Sequence, residues 1–347
     1  MPTRVAINGF GRIGRTTFKA GFGLKNLDWL AVNDLTDPKT LAHLLQYDSV
    51  YRTFDKKVQY NEEKKKIGGC QCQGRLIVGN KKIMIFSEKD PSKLPWKELK
   101  IDVAIESTGV FTEKKQAGQH LKAGAKRVII SAPAKGDQPV QTYMRGVNLD
   151  KYQDEAIIDN ASCTTNCASP VAAVIHQKFG VQKALMSTVH SVTADQRLVD
   201  APHKDLRRAR AAYVNIVPTT TGAAIATTKA IPDLEGKFDG MSIRVPVIDV
   251  SLVDFTFLLK KKTTVEEVNR YFKKMSQHPL YKGILGVSEE DLVSSDYIGS
   301  PYSAVIDLKF TKIVDGDLLK VIAWYDNEWG YSLRLAEMAR DIGKRIK

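Results

Sequence analysis

The segment Gly9-Phe10-Gly11-Arg12-Ile13-Gly14 restricts the fold of this chain more than any other. It follows an apolar run from Thr3 to Asn8 and opens a stretch, 13–23, that predicts a helix. A second apolar run, Trp29-Leu30-Ala31-Val32-Asn33, then ends on Asp34. Strand, glycine-rich turn, helix and strand form a βαβ unit, whose strands are parallel and whose crossover is right-handed. Gly9, Gly11 and Gly14 let a pyrophosphate approach the backbone N–H groups where the helix begins. The spacing alone is a weak signal, and its place between strand and helix strengthens it. Asp34 stands where a carboxylate accepts hydrogen bonds from adenosine ribose hydroxyls and repels a 2′-phosphate, so the pattern predicts a site for NAD rather than NADP.

The first half continues as alternating α/β, with strands predicted at 83–86, 103–106 and 128–131 and a helix near 113–124. The second half reads differently. Long alternating runs at 184–192, 241–250, 253–260, 304–310 and 318–324 predict a largely antiparallel sheet with helices on one face. The stretch 209–216 reads as a long loop. Tyr331, Leu335, Met338, Ala339, Ile342 and Ile346 recur at helical spacing near the C-terminus, with Asp326 and Asn327 placed to cap that helix.

At 347 residues the chain predicts two domains. No apolar run is long enough to span a bilayer, and the first residues lack a signal-peptide profile. Four cysteines do not make a disulfide framework, which points to the cytoplasm. The Cys70-x-Cys72 pair lacks a second ligand pair nearby, so no metal site is predicted. A net charge of +13 suits acidic partners, whether phosphorylated metabolites, a phosphate-bearing cofactor or nucleic acid. No basic run interleaved with aromatic residues is present, so nucleic acid is not required.

Ser162-Cys163-Thr164-Thr165-Asn166-Cys167 carries the chemistry. It follows a strand-like run, 156–160, and opens an apolar segment that reads as a buried helix. At such a bend, free backbone N–H groups and the positive helix end favour a thiolate, the nucleophilic form of cysteine. Four polar neighbours around Cys163 argue against a buried inert thiol. Cys167, one turn on, reads as structural. A nucleophilic cysteine needs a base. His190, at the end of a strand-like run and followed by Thr193 and Asp195, is one of six histidines. From the residues alone, other histidines stay open as its partner.

Together these segments resemble the phosphorylating glyceraldehyde-3-phosphate dehydrogenase family. The resemblance runs from Asn8–Arg15, Val32-Asn33-Asp34 and Glu106-Ser107-Thr108-Gly109 through Ile130–Ala134 and Ser162–Cys167. It continues through Thr188-Val189-His190-Ser191, His203–Arg210, Pro218–Ala224, Arg244-Val245-Pro246 and Trp324–Glu328. It implies a Rossmann-type, doubly wound parallel sheet domain, then a mainly antiparallel sheet catalytic domain, with the C-terminal helix returning to the first. The implied boundaries are 1–162 with 327–347, and 163–326.

The activity implied is the glycolytic and gluconeogenic conversion of glyceraldehyde 3-phosphate, phosphate and NAD to 1,3-bisphosphoglycerate and NADH. Cys163 would form a hemithioacetal and then a thioester, assisted by His190. Erythrose 4-phosphate is the alternative aldehyde, because one carbon changes a pocket little. The resemblance places Arg12, Ile13, Asn33, Asp34, Lys89, Thr108, Gly109 and Ser131 around the cofactor, with Asn327 on the nicotinamide carboxamide. It gives the substrate phosphate to Thr193, Asp195 and Arg244. Inorganic phosphate goes to Ser162, Thr164, Arg208, Thr221 and Gly222. A homotetramer is implied, with the loop 201–216 at a subunit interface. The stretch 61–73 looks long for the family and reads as a surface hairpin extension, with no function derived for it.

Overall fold

The computed structural model describes residues 1–346 and divides into two compact units. One comprises Met1–Tyr143, Lys151–Ala161 and the chain from Ser332 onward; the other comprises Met144–Asp150 and Ser162–Tyr331.

The first unit is built on a ten-stranded sheet. Strand β1 (Thr3–Asn8) leads through helix α1 (Arg12–Gly21) to β2 (Leu27–Asn33), and the two strands pair in parallel. Val103–Glu106 lies against the other edge of β1, and Lys81–Phe86 against β2, both parallel. Val5, Ile7, Val32, Ile85, Ala104 and Ile105 are buried. A parallel strand covered on both faces takes such an unbroken apolar run. The helix expected over 113–124 is instead two short segments, Lys114–Ala117 and Gln119–Lys122, divided at Gly118. Gly118 accepts from the Leu121 N–H three residues on, a tight 3₁₀-type turn that interrupts the α ladder.

The stretch 61–73 forms a hairpin at the sheet's edge. Lys65–Ile67 pairs antiparallel with Cys70–Cys72 across Gly68-Gly69, both at positive φ. Two left-handed residues in a two-residue turn match the twist of the strands they join. Cys70 and Cys72 point into the core beside Trp96 and Phe86.

The second unit holds a seven-stranded sheet in which most neighbours are antiparallel. Ser251–Leu259 shows why: Ser251, Val253, Phe255, Phe257 and Leu259 are buried and the residues between them are not, the period of a half-covered strand. Two pairings are parallel, and one sets the candidate site. Val181–His190 runs beside Phe238–Arg244 with His190 opposite Arg244. The run expected to extend over 241–250 stops at Arg244. Pro246 has no N–H to give the ladder, and Val245 donates to the His190 carbonyl as the strand ends.

The helix Cys163–Phe179 packs Cys167, Val171, Ile175 and Phe179 into the core of this sheet. A further helix, Val265–Gln277, forms where the sequence reading places none. Val268, Phe272 and Met275 form its buried stripe, and Thr264 caps it by accepting from the Glu267 N–H. The C-terminal helix runs Trp329–Arg345. Asp326 accepts from the N–H groups of Glu328 and Trp329 and so caps it. Asn327, the other expected cap, is engaged elsewhere.

Candidate active site

In the first unit a cavity of about 390 Å³ opens at the carboxyl ends of β1 and β2. Gly9, Gly11, Asn33, Asp34, Lys89 and Thr108 line it. Each glycine meets a different demand. Gly9 has φ +87°, and a Cβ there would lie 2.6 Å from the Thr108 nitrogen. At Gly14 a Cβ would lie 2.1 Å from the Gly9 carbonyl oxygen, so α1 packs against the turn at a distance only glycine allows. A Cβ on Gly11 would meet no protein atom within 4 Å. That side of the turn is open space, at the start of a helix with no side-chain cap. A pyrophosphate fits such a cradle.

The consequence for Gly14 is testable. Gly14→Ala is expected to lose about 2 kcal/mol or more of stability, by overpacking, together with most dinucleotide affinity. Thermal unfolding and NAD titration measure the two. A variant matching the parent in both would remove close packing as the reason for glycine.

Asp34 lies just beyond β2. It lines the cavity; its Oδ2 accepts from the Phe10 N–H at 2.7 Å and its Oδ1 from the Thr36 N–H at 3.0 Å, and each oxygen keeps a further lone pair. Arg12 turns its guanidinium to Asp48, at 2.7 Å, and over the Tyr51 ring, so any cofactor contact falls to its backbone. Ile13 is in the first turn of α1, Gly109 is an exposed left-handed residue, and Ser131 donates its N–H to the Glu106 carbonyl. Gly109, Ser131, Arg12 and Ile13 do not line the cavity itself.

In the second unit Cys163 is the first residue of its helix. Ser162 caps that helix, its Oγ accepting from the Thr165 N–H at 3.1 Å. The Cys163 sulfur lies 3.6 Å from His190 Nε2. The parallel register described above delivers His190, and Arg244 from the neighbouring strand end. His190 Nδ1 is 2.7 Å from the Ser191 carbonyl oxygen and 2.6 Å from Arg244 Nη1. Nδ1 cannot serve both: it donates to the carbonyl or accepts from the guanidinium. In the first case the Nε2 lone pair faces the sulfur.

Cys163 is half-buried as a residue, yet its sulfur is closely packed, and burial pushes the thiol up. The Arg244 guanidinium and Thr164 work against that. Burial, then the charge of Arg244, pushes His190 down to about 3. Burial thus disfavours the charged form of both partners, in opposition to the helix start, which favours a thiolate. Behind it Tyr325, at 2.9 Å from both Thr164 Oγ1 and Thr188 Oγ1, braces the helix and the strand. No local sequence signal marks Tyr325, which meets these threonines only through the sheet.

The residues expected to bind phosphates divide. Arg208 Nη1 is 2.6 Å from Asp195, which joins a member of each expected anion site. Burial would raise Asp195, but Arg208 and His203 hold its carboxyl below the ordinary value. Arg208 also donates to Thr219 Oγ1 and the Thr220 carbonyl. The buried Arg244 Nε has no partner, which suits an arriving anion. Thr193 and Thr221 are half-buried, Gly222 is exposed, and Gly222 precedes the helix Ala223–Ala230. Thr164 is buried with its hydroxyl on Tyr325, so its side chain is already engaged. Asn327 Oδ1 accepts from both Ser191 and Ser251, which fixes the orientation of its amide. Among the described residues no cluster of three or more His, Cys, Asp or Glu could hold a metal ion.

Comparison with known proteins places these two units in one context. The family model described as "Glyceraldehyde 3-phosphate dehydrogenase, NAD binding domain" matches residues 3–114, and "Glyceraldehyde 3-phosphate dehydrogenase, C-terminal domain" matches 162–327. The chain is 50% identical to the glyceraldehyde-3-phosphate dehydrogenase of Geobacillus stearothermophilus, over 99% of each. It is 48% identical to glyceraldehyde-3-phosphate dehydrogenase 1 of Bacillus subtilis, again over 99% of each. It is 51% identical to a chloroplastic glyceraldehyde-3-phosphate dehydrogenase of Arabidopsis thaliana, over 99% of this chain and 84% of that one.

Proposed function

The chain belongs to the glyceraldehyde-3-phosphate dehydrogenase family, and from that premise we propose that it oxidises glyceraldehyde 3-phosphate to 1,3-bisphosphoglycerate with NAD and inorganic phosphate. The observation that carries the chemistry is the Cys163 sulfur 3.6 Å from His190 Nε2 at a capped helix start. The same reaction serves glycolysis in one direction and gluconeogenesis in the other.

The substrate phosphate engages Arg244, assisted by Thr193 and Asp195, and draws the guanidinium from His190 Nδ1. Nδ1–H then donates to the Ser191 carbonyl and Nε2 stands as the base. The Cys163 sulfur attacks the aldehyde carbon, and the thiol proton passes through His190 to the carbonyl oxygen, giving a hemithioacetal. His190 next takes the hydroxyl proton while the carbon–oxygen double bond reforms, leaving a thioester on Cys163. When bound, NAD supplies the two-electron acceptor for the hydride released in that step, with Asn327 orienting its carboxamide. Inorganic phosphate, held by Arg208 with Ser162, Thr164, Thr221 and Gly222, attacks the thioester carbon. The carbon–sulfur bond breaks and the protonated His190 returns a proton to sulfur.

We assign the cofactor role to residues 1–162 with 327–347 and the catalytic role to 163–326. A homotetramer is the assembly we propose. Leu198, Leu206, Val214 and Ile216 are more than two-thirds exposed on and beside the 201–216 loop, where water contact is costly for apolar groups. Four unpaired cysteines support a reducing compartment, the cytoplasm. No described helix is long and apolar enough to cross a membrane.

The test is NADH formation by the purified chain with each aldehyde, with and without phosphate. We expect a strict phosphate requirement, a hydroxylamine-trappable acyl phosphate, and a kcat/KM for glyceraldehyde 3-phosphate at least ~10-fold above that for erythrose 4-phosphate. Phosphate-independent oxidation would overturn the acyl-phosphate route, and a reversed aldehyde preference would overturn the substrate.

A further inference from the structure

The mechanism above uses none of a buried polar chain in the first unit. Glu106 ends the strand Val103–Glu106 and is only 2% exposed, yet four groups converge on its carboxylate. Oε2 accepts from Asn8 Nδ2 at 2.6 Å and from His120 Nε2 at 2.9 Å. Oε1 accepts from the Thr108 N–H at 2.8 Å and from the Thr108 hydroxyl.

Each arm of this chain is fixed in direction. On one side the Trp96 indole, which only donates, gives its N–H to His120 Nδ1 at 3.0 Å. That places the imidazole proton on Nε2, toward Glu106. On the other side Asn33 exchanges two hydrogen bonds with the Glu88 backbone, donating to its carbonyl and accepting from its N–H. Its amide therefore cannot turn over, and it donates to Asn8 Oδ1 at 2.7 Å. Asn8 is left with only its N–H group for Glu106. The chain joins the carboxyl ends of Val103–Glu106, β1 and β2 to the backbone just beyond Lys81–Phe86, four adjacent parallel strands. Asn8, Asn33, Glu88 and Thr108 also line the dinucleotide cavity.

We propose that Glu106, His120 and Trp96 are positioning residues for the cofactor: an inward-pointing hydrogen-bond chain that ends on one carboxylate sets the floor of the NAD cleft at Thr108. None of the three lines that cavity themselves. The inference rests on the reading that this cavity takes NAD.

Glu106→Gln tests it, because glutamine keeps the shape and loses one acceptor. The amide is tolerated at Oε2 only as oxygen, since two fixed donors face that position. Its NH₂ is then forced against the Thr108 N–H, and the damage falls on the cleft floor. We expect the Kd and KM for NAD to rise about tenfold or more, while kcat at saturating NAD stays within twofold of the parent. A merely structural role would instead lower the unfolding temperature and kcat together without that split.

Trp96→Phe is the second variant. It keeps a ring beside His120, where the two now stack at 6.4 Å between centroids, and removes only the N–H that sets the tautomer. NAD Kd is expected to rise two- to fourfold. If Glu106→Gln fails to fold, Trp96→Phe decides alone. An unchanged Kd in whichever variants fold overturns the proposal, as does a fall in kcat without a change in Kd. The parent is titrated with NAD first, by calorimetry: a parent that does not bind overturns the cofactor reading itself.

Discussion

Cys163→Ser is expected to lower kcat for aldehyde oxidation by at least ~10⁴-fold while leaving NAD affinity within twofold of the parent. A serine hydroxyl ionises far less readily than a thiol, so the same geometry beside His190 presents a weak nucleophile. It also forms an ester in place of a thioester, and an ester is a poorer acyl donor to phosphate. The residues around the dinucleotide cavity, Gly9, Gly11, Asp34 and Thr108 among them, are separate in sequence from this helix start and are untouched by the change. Initial rates and NAD titration on the same preparation give both numbers. A variant retaining more than a hundredth of the parent kcat would remove Cys163 from the reaction. Iodoacetamide provides a parallel check. Cys70, Cys72 and Cys167 are buried, whereas half-buried Cys163 has His190 Nε2 at 3.6 Å to take its proton, so peptide mass spectrometry should find the label on Cys163 first.

Local sequence is a good guide here wherever one element decides the outcome. The βαβ turn is legible because Gly9 and Gly14 answer to atoms of their own turn or of the next strand end. The alternation in Ser251–Leu259 reports a half-covered strand directly. Where two elements compete, legibility falls. Pro246 ends a run whose apolar alternation continues past it, and Gly118 divides a segment whose composition is helical throughout.

The site follows the same rule. Ser162 and Cys163 can be read from their helix start, but the pairing of His190 with Arg244 depends on parallel register between strands more than 50 residues apart. Tyr325, 161 residues from Thr164, has no local mark at all. Nor does the direction of the Glu106 chain, which needs Trp96 and Asn33 placed together in space. The Arg208–Asp195 pair is a further case, since the residues were expected in different anion sites and the fold brings them to 2.6 Å.

The second large effect concerns His190. His190→Asn is expected to reduce kcat by about 10²- to 10⁴-fold, the range for loss of a positioned general base. Asparagine retains a polar group near the sulfur but cannot take a proton. Three proton movements then lose their carrier: from the thiol to the carbonyl oxygen, from the hemithioacetal hydroxyl, and back to sulfur as the thioester breaks. The pH dependence has a definite sign. In the parent, burial and Arg244 push His190 down to about 3, so the imidazole is neutral, and a base, throughout the neutral range. In the variant the thiol must ionise unaided. Burial pushes that thiol up, so its thiolate fraction is small near neutrality and grows with pH. Residual activity of His190→Asn should therefore climb across pH 7 to 9, where the parent is comparatively flat, and the rate of Cys163 alkylation near pH 7 should fall about tenfold. Rate profiles and alkylation kinetics on matched preparations measure both. Equal alkylation rates in parent and variant would mean that the 3.6 Å contact transmits no proton. A variant profile parallel to the parent's would mean that the base is some other group.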